Sequence, residues 1–374
     1  MLITFVLGSV HAFSVFLQPL ETSLQLPRSQ ISLIYSFALL AITFAVLIGY
    51  RIYQSLPAWW LLLLTCLMAA AGLLVSANAD GWWQLFAGYS LLFGISNGIG
   101  YGYCLQLVGR EMPQKKGFAM GAVTAAYAVG SIVFAKIFAL QIATLSIAAA
   151  FQVLALALVV CGCVAAVAMR CAAASYATAA AVAVALPGTI AGGRILPFWL
   201  AYMSSVFAGL MAIGHAAGIA VAKGADLELS TLSAMVIGIG SALGGFLAGG
   251  LIDRWPPKRL LVGLPLLSAL ALIMINLFDS AALVVAWLSL VGFSYGAVIA
   301  VYPVVISDYF GEQGARAYGL VFTAWGFAGL AGPWLAGLVY DWRNAYDLAL
   351  LLAAASAILS AWLAVRLPVH KSVG

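Results

Sequence analysis

Twelve apolar runs account for most of this chain, and each is about as long as a helix that crosses a bilayer. They fall at 2–21, 30–50, 58–77, 82–108, 118–141, 143–169, 197–222, 229–252, 260–278, 281–308, 317–340 and 347–366. A spanning helix needs ~20 apolar residues, so twelve consume roughly 240 residues of the chain and leave only short loops. Lipid offers the backbone no water to bond, so each run is expected to be a helix. The alternating ten-residue segments of a membrane β-barrel do not occur. Charged residues make up 7% of the chain, against about 25% in a soluble domain. That is too few to cover a water-facing surface, which excludes a soluble enzyme, a nucleic-acid binder and a disordered protein. The first run, from Leu2 to Leu20, reads as a first span: no Lys or Arg precedes it and no convincing cleavage site follows. The five cysteines (Cys66, Cys104, Cys161, Cys163, Cys171) show neither a disulfide framework nor zinc spacing and read as packing residues.

The placement of basic residues sets the expected orientation. With the N-terminus inside, Arg51, Arg110, Lys115, Lys116, Arg170, Arg194, Arg254, Lys258, Arg259, Arg316, Arg366 and Lys371 fall on the inner side. Only Arg28, Lys223 and Arg343 fall outside. Both termini are therefore expected in the cytoplasm, in a bacterial inner or plasma membrane. Residues 171–186 are uncharged and Ala-rich, and Pro187, Gly188, Gly192 and Gly193 follow them. A thirteenth span there would invert the charge bias of the second half, so the segment reads as a linker. The expected organisation is a six-helix bundle over 1–169, a cytoplasmic linker over 170–196 and a second six-helix bundle over 197–374. One ungapped shift of 198 residues supports an internal repeat: it pairs Gly94 with Gly292, Ser96 with Ser294, Gly98 with Gly296 and Gly121 with Gly319.

Ionisable groups inside a bilayer are costly, so each is a functional candidate. His11, Lys136 and His215 lie within spans, whereas none of the eleven acids sits mid-helix. Lys136 would attract an anion if it faces a cavity, or else reach for the headgroups. His11 and His215 could bind substrate, carry a proton or bond a neighbouring helix. Asn97 and Tyr101 share one face of the fourth span, and Tyr295 and Tyr302 share one face of the tenth. Tyr127, Gln106, Thr323 and Trp325 are weaker candidates. The glycines from Gly238 to Gly250 read as close helix contacts that could slide. No phosphate loop, catalytic triad or metal cluster is visible, so no cofactor is expected.

The loop after the eighth span carries Gly249, Asp253, Arg254, Lys258 and Arg259. It resembles the G-x-x-x-D-R-x-G-x-[KR]-[KR] signature of the major facilitator superfamily, with Pro256 in place of the second Gly. The copy after the second span keeps Gly49 and Arg51 and lacks the Asp. The resemblance implies a conformational latch at Asp253, Arg254, Lys258 and Arg259; surface anchoring is the alternative. It also implies a fold of two pseudo-symmetric six-helix bundles whose first, fourth, seventh and tenth spans line a central cavity. The run Gly8-Ser9-Val10-His11-Ala12-Phe13-Ser14-Val15-Phe16, followed by Pro27-Arg28-Ser29-Gln30, resembles the oxalate/formate-antiporter and monocarboxylate-porter branch. That branch is expected to carry an Arg in span eight, and its oxalate binders a Lys in span eleven. Neither is present here, which argues against oxalate.

The chain is therefore read as a secondary transporter, not an enzyme, working by alternating access on a small-molecule substrate and acting as a monomer. The cargo expected is a small organic anion, most simply a monocarboxylate, moved by uniport, exchange or symport. A neutral amphipathic cargo is the alternative within transport, and a membrane receptor or scaffold is the alternative outside it. The expected substrate-binding residues are His11, Asn97, Tyr101, Lys136, His215, Tyr295 and Tyr302.

Overall fold

The computed structural model describes residues 1–53, 55–112, 116–172 and 192–368. Among the described residues, twelve helices are long and apolar enough to cross a membrane. They are Leu2–Leu24, Arg28–Gly49, Ala58–Ala77, Trp82–Val108, Ala119–Thr144 and Ile147–Cys171, then Gly192–Ala222, Leu227–Ala248, Pro257–Leu277, Ala281–Phe310, Arg316–Arg343 and Asp347–Arg366. We number them as spans one to twelve. Most of the expected linker, residues 173–191, lies outside the described residues. Span seven starts at Gly192, earlier than its apolar run suggests, and continues through Pro197.

An even number of spans returns the chain to the face on which it began. We call this the terminal face, and the side carrying the loops after spans one and eleven the far face.

The 198-residue repeat has a packing counterpart. Gly94 and Gly98 of span four seat against Ala38 and Ile42 of span two. Gly292 and Gly296 of span ten seat against Ile237 and Ser241 of span eight. In each bundle a small-x-x-x-small pair lets two backbones approach where a methyl group would collide. Gly240 and Gly244 of span eight likewise meet the backbone of span ten. These glycines therefore join helices within the second bundle, and among the described glycines of this stretch Gly238 is the one that meets the first bundle, at Ser131 and Ile132 of span five.

Spans two and eleven form one seam between the bundles. Arg28, Ser32, Tyr35, Leu39 and Thr43 recur every three or four residues and so share one face of span two. Opposite them stand Gly326, Gly329, Pro333 and Gly337 of span eleven. A Cβ on Gly326 would lie 2.6 Å from Thr43 Oγ1, on Gly329 2.8 Å from Leu39 Cβ, and on Gly337 2.7 Å from Ser32 Oγ. Side chains of one helix thus press into gaps left by the other. Toward the terminal face the seam ends. Leu47, the next residue of the stripe, is 40% exposed, and Gly319 has nothing within 4 Å of its Cβ position. Gly121 of span five and Gly250 of span eight are equally free. The bundles touch through their middle and far portions and part toward the terminal face.

Candidate functional site

Span one is not a continuous α-helix. Leu2–Leu7 is α-helical, Gly8–Phe16 is 3-10, and Leu17–Leu24 is α-helical again. Nine residues is long for a 3-10 run, which is commonly three or four and often marks a functional hinge. The tightening has a cause in packing. The carbonyl of Tyr127 in span five occupies the place where a Cβ on Gly8 would stand, and the carbonyl of Phe5 does the same at Gly130. Spans one and five therefore meet backbone to backbone. Passing from i+4 to i+3 bonding leaves one carbonyl over, and a buried carbonyl needs a donor. At this junction Asn97 Nδ2 donates to the Leu7 carbonyl at 2.7 Å. Asn97 Oδ1 in turn accepts from the Tyr127 hydroxyl at 2.9 Å. Asn97 is fully buried with both ends of its amide engaged. It braces the break in span one, whereas the expectation was a place on the substrate surface.

With three residues per turn, Gly8, His11 and Ser14 fall in line. His11 Nδ1 lies 2.8 Å from the Tyr35 hydroxyl, and no described residue bonds its Nε2. Its ring meets three aromatic rings edge-on: Tyr127 at 5.7 Å, Trp325 at 6.3 Å and Tyr35 at 6.4 Å between centroids. Trp325 comes from the second bundle and donates to the Tyr295 hydroxyl at 2.8 Å. Tyr101 stands 4.9 Å from the Tyr127 ring and 3.3 Å from Thr124 Oγ1. Phe322 stacks on Trp325 at 5.8 Å, and Trp199 donates to Thr323 Oγ1 at 2.9 Å. His11, Tyr101, Tyr127, Tyr318 and Phe322 are each partly exposed. The result is a partly exposed mid-bundle cluster of aromatic rings and hydroxyls from both bundles, with one imidazole among them; we call it the His11 chamber.

Other expected residues lie elsewhere. Lys136 is exposed. It is nine residues beyond Tyr127, about 180° around the helix. It shares the exposed face of span five with Val129, Val133 and Leu140, so the structure does not bring it to the chamber. Tyr302 is buried against Tyr202, with ring centroids 4.6 Å apart, and packs the interior of the second bundle. Arg254 and Arg259 are exposed and Lys258 half-buried at the end of span eight. The side chain of Asp253 lies outside the described residues.

His215 belongs to a second cluster, at the far face. Its Nε2 is 2.8 Å from the Pro333 carbonyl and 3.2 Å from Ser32 Oγ, and its Nδ1 is 2.9 Å from the Tyr346 hydroxyl. Arg28 Nη1 donates to the same hydroxyl at 2.9 Å. The guanidinium also pairs with Glu21 and lies 3.7 Å from the centroid of the Tyr340 ring, a cation–π distance. Asp341 accepts the backbone N–H groups of Arg28 and Ser29, each at 2.8 Å. Span one supplies Glu21 and span two supplies Arg28 and Ser32. His215, Pro333, Tyr340, Asp341 and Tyr346 come from the second bundle. The cluster thus ties the bundles together where the seam of spans two and eleven ends. Beside it a cleft of about 760 Å³ opens among spans one, five, seven and eight, with Ser14, Gln18, Ile142, Val221 and Thr231 on its walls.

Tyr35, Thr124, Glu21, Asp341 and Tyr346 were not among the expected site residues. Their partners lie far along the chain, so no local pattern marks them. Arg28 did carry a signal, as a charge in a recognisable stretch, but nothing local named its partners.

Similarity to known proteins accords with this architecture. Over 337 residues the chain is 25% identical to an uncharacterized MFS-type transporter, YhjX, of Escherichia coli K12, covering 87% of this chain and 83% of that protein. It is 22% identical over 325 residues to the oxalate:formate antiporter of Oxalobacter formigenes, covering 82% and 76%. The profile of the Major Facilitator Superfamily matches residues 198–373. That match covers the second bundle, and over most of its length the chain is similar to transporters of the same superfamily. The fold agrees along the whole chain. A nucleoside transporter, NupG, superposes with a TM-score of 0.79 at 13% identity, covering 98% of each chain. The inward-open xylose transporter XylE of E. coli gives 0.76 at 14% identity, covering 100% and 96%. The twelve apolar spans and the similarity to transporters indicate an integral membrane transporter of small molecules, not an enzyme. Its chamber lies between the two bundles, where alternating access places the passenger.

Proposed function

We propose that this transporter carries a small organic anion, a monocarboxylate, through the His11 chamber. The observation that carries the reading is His11 itself. Tyr35 holds Nδ1, which leaves Nε2 to meet a ligand among rings and hydroxyls. A neutral imidazole offers one N–H donor there, and a protonated one offers a charge-assisted bond. One imidazole balances one negative charge, which suits a monocarboxylate better than a dicarboxylate. The Tyr295 hydroxyl, which accepts from Trp325, keeps a hydrogen to donate, the Tyr101 hydroxyl is held only at 3.3 Å, and the rings suit a short apolar tail. Kinship with an oxalate:formate antiporter supports a carboxylate cargo. The absence of basic residues from spans eight and eleven at membrane depth argues against oxalate. The bias of basic residues supports a cytoplasmic terminal face, and the residues Asp253, Arg254, Lys258 and Arg259 are assigned to a latch there by their motif.

A second reading, transport of a neutral amphipathic compound, is favoured by one observation: among the described residues no Lys or Arg lines the chamber. Uptake by proteoliposomes separates the two. Labelled lactate or formate should accumulate, other monocarboxylates should compete, and the corresponding amides and alcohols should not. Equal competition by the neutral analogues would favour the second reading.

A further inference from the structure

The far-face cluster contains a histidine whose hydrogen bonds have only one consistent assignment. The Pro333 carbonyl can only accept, so His215 Nε2 carries the hydrogen in the bond of 2.8 Å. Nδ1 is then a bare acceptor and takes the Tyr346 hydroxyl hydrogen at 2.9 Å. Having given that hydrogen away, the Tyr346 oxygen accepts from Arg28 Nη1 at 2.9 Å. Donation runs one way, from Arg28 to Tyr346 to His215 to Pro333. A proton added at Nδ1 would leave the Tyr346 hydrogen without its acceptor. It would also set two cations on one phenol oxygen in a site where His215 is fully buried.

The bundles divide this chain of donors between them. His215, Pro333 and Tyr346 belong to the second bundle and stay together when the far face opens. Arg28 and its partner Glu21 belong to the first and withdraw together. We propose that His215 is a proton-binding site whose occupation and the closure of the far face exclude one another. The proton enters at Nδ1 once Arg28 has left, and closure expels it.

The surrounding charges fit this role. Span one presents Glu21, span two Arg28 and Tyr35, span eleven Tyr340 and Asp341, and the residue before span twelve is Tyr346. Glu21 is engaged by the guanidinium, and Asp341 by two backbone N–H groups. Span eight contributes Ser233, which donates to the Ala216 carbonyl, and no charge among the described residues. The inference rests on alternation of the two bundles and not on the identity of the passenger.

The experiment needs no substrate. Spin labels are placed at Ser23→Cys and Trp342→Cys, both exposed far-face positions, with Cys161, Cys163 and Cys171 replaced by serine. The label-to-label distance distribution is recorded in lipid nanodiscs from about pH 8 to about pH 5.5, the range in which histidine titrates. One proton per opening changes the closed-to-open ratio by up to about tenfold per pH unit, with the separated population growing as pH falls. His215→Gln, which stays neutral and can still donate and accept, should hold the short distance throughout. His215→Lys should hold the long one. A pH response that persists in His215→Gln overturns the proposal and moves the titration to Glu21 or Asp341. So does a His215→Lys protein that closes normally. Should His215→Lys fail to fold, His215→Gln decides alone. Failure of carboxylate uptake would leave these distances untouched, so the two readings fall separately.

Discussion

Asp341, at the end of span eleven, caps the helix that begins at Arg28, more than three hundred residues earlier in the chain. Its two oxygens take the N–H groups of Arg28 and Ser29. The residue before that helix is Pro27, whose side chain cannot cap. The first turn of any helix has unpaired N–H groups and a partial positive charge, and here a carboxylate from the other bundle satisfies them. Closure of the far face therefore supplies a helix cap that opening removes. Asp341→Asn keeps one acceptor oxygen and loses the charge. It should weaken closure by about 1 kcal/mol, as loss of a cap does. The separated fraction between labelled far-face sites should rise several-fold, and an unchanged fraction would show that the cap contributes nothing to closure.

The backbone contact of spans one and five predicts an asymmetry between two glycines of the same helix. A Cβ on Gly130 runs into the Phe5 carbonyl, whereas one on Gly121 meets nothing within 4 Å. Gly130→Ala should cost about 1–3 kcal/mol through overpacking, and Gly121→Ala should be close to neutral. Thermal unfolding in detergent distinguishes them. Equal melting temperatures would contradict the contact.

The carboxylate reading sets His11 against Lys136. His11→Ala should lower monocarboxylate affinity roughly 10- to 100-fold, the loss of one charge-assisted hydrogen bond, and should also lower the melting temperature, because the buried Tyr35 hydroxyl loses its partner. Lys136→Ala, on the exposed face of span five, should transport normally. If Lys136→Ala abolished uptake while His11→Ala did not, the chamber would be wrongly assigned.

Tyr127→Phe tests the brace. It removes the donor to Asn97 Oδ1 and leaves a buried acceptor unpaired, at a cost of about 1–3 kcal/mol. Replacing Asn97 by Leu in the same background should cost less than the sum of the two single changes, because the acceptor is then gone as well. Additive losses in a thermal-unfolding cycle would argue that the bond contributes little.

Much of the fold was legible along the chain, for a physical reason. Hydrocarbon thickness sets run length, and the cost of an unpaired backbone group in lipid makes each run a helix. The register of Gly94 and Gly98 with Gly292 and Gly296 was also readable, since close helix approach demands small residues at fixed spacing. The site was legible only in part. His11 could be singled out because an imidazole in an apolar run is unusual, and Tyr101 and Tyr295 because they are polar on otherwise apolar helices. The same logic selected Lys136, which the structure places on the exposed face of span five, because rarity says nothing about rotation.

Sequence by itself determined how many times the chain crosses, which stretches do so to within a few residues and which spans repeat, because those depend on the polarity of consecutive residues. The three-dimensional packing decided which side of each helix meets the chamber, since a helix turns about 100° per residue and only its neighbours select the angle. It also decided the pairs that close the far face, Arg28 with Tyr346 and Ser32 with His215. Such partners are chosen by the docking of two bundles, and nothing in the residues between them records that choice.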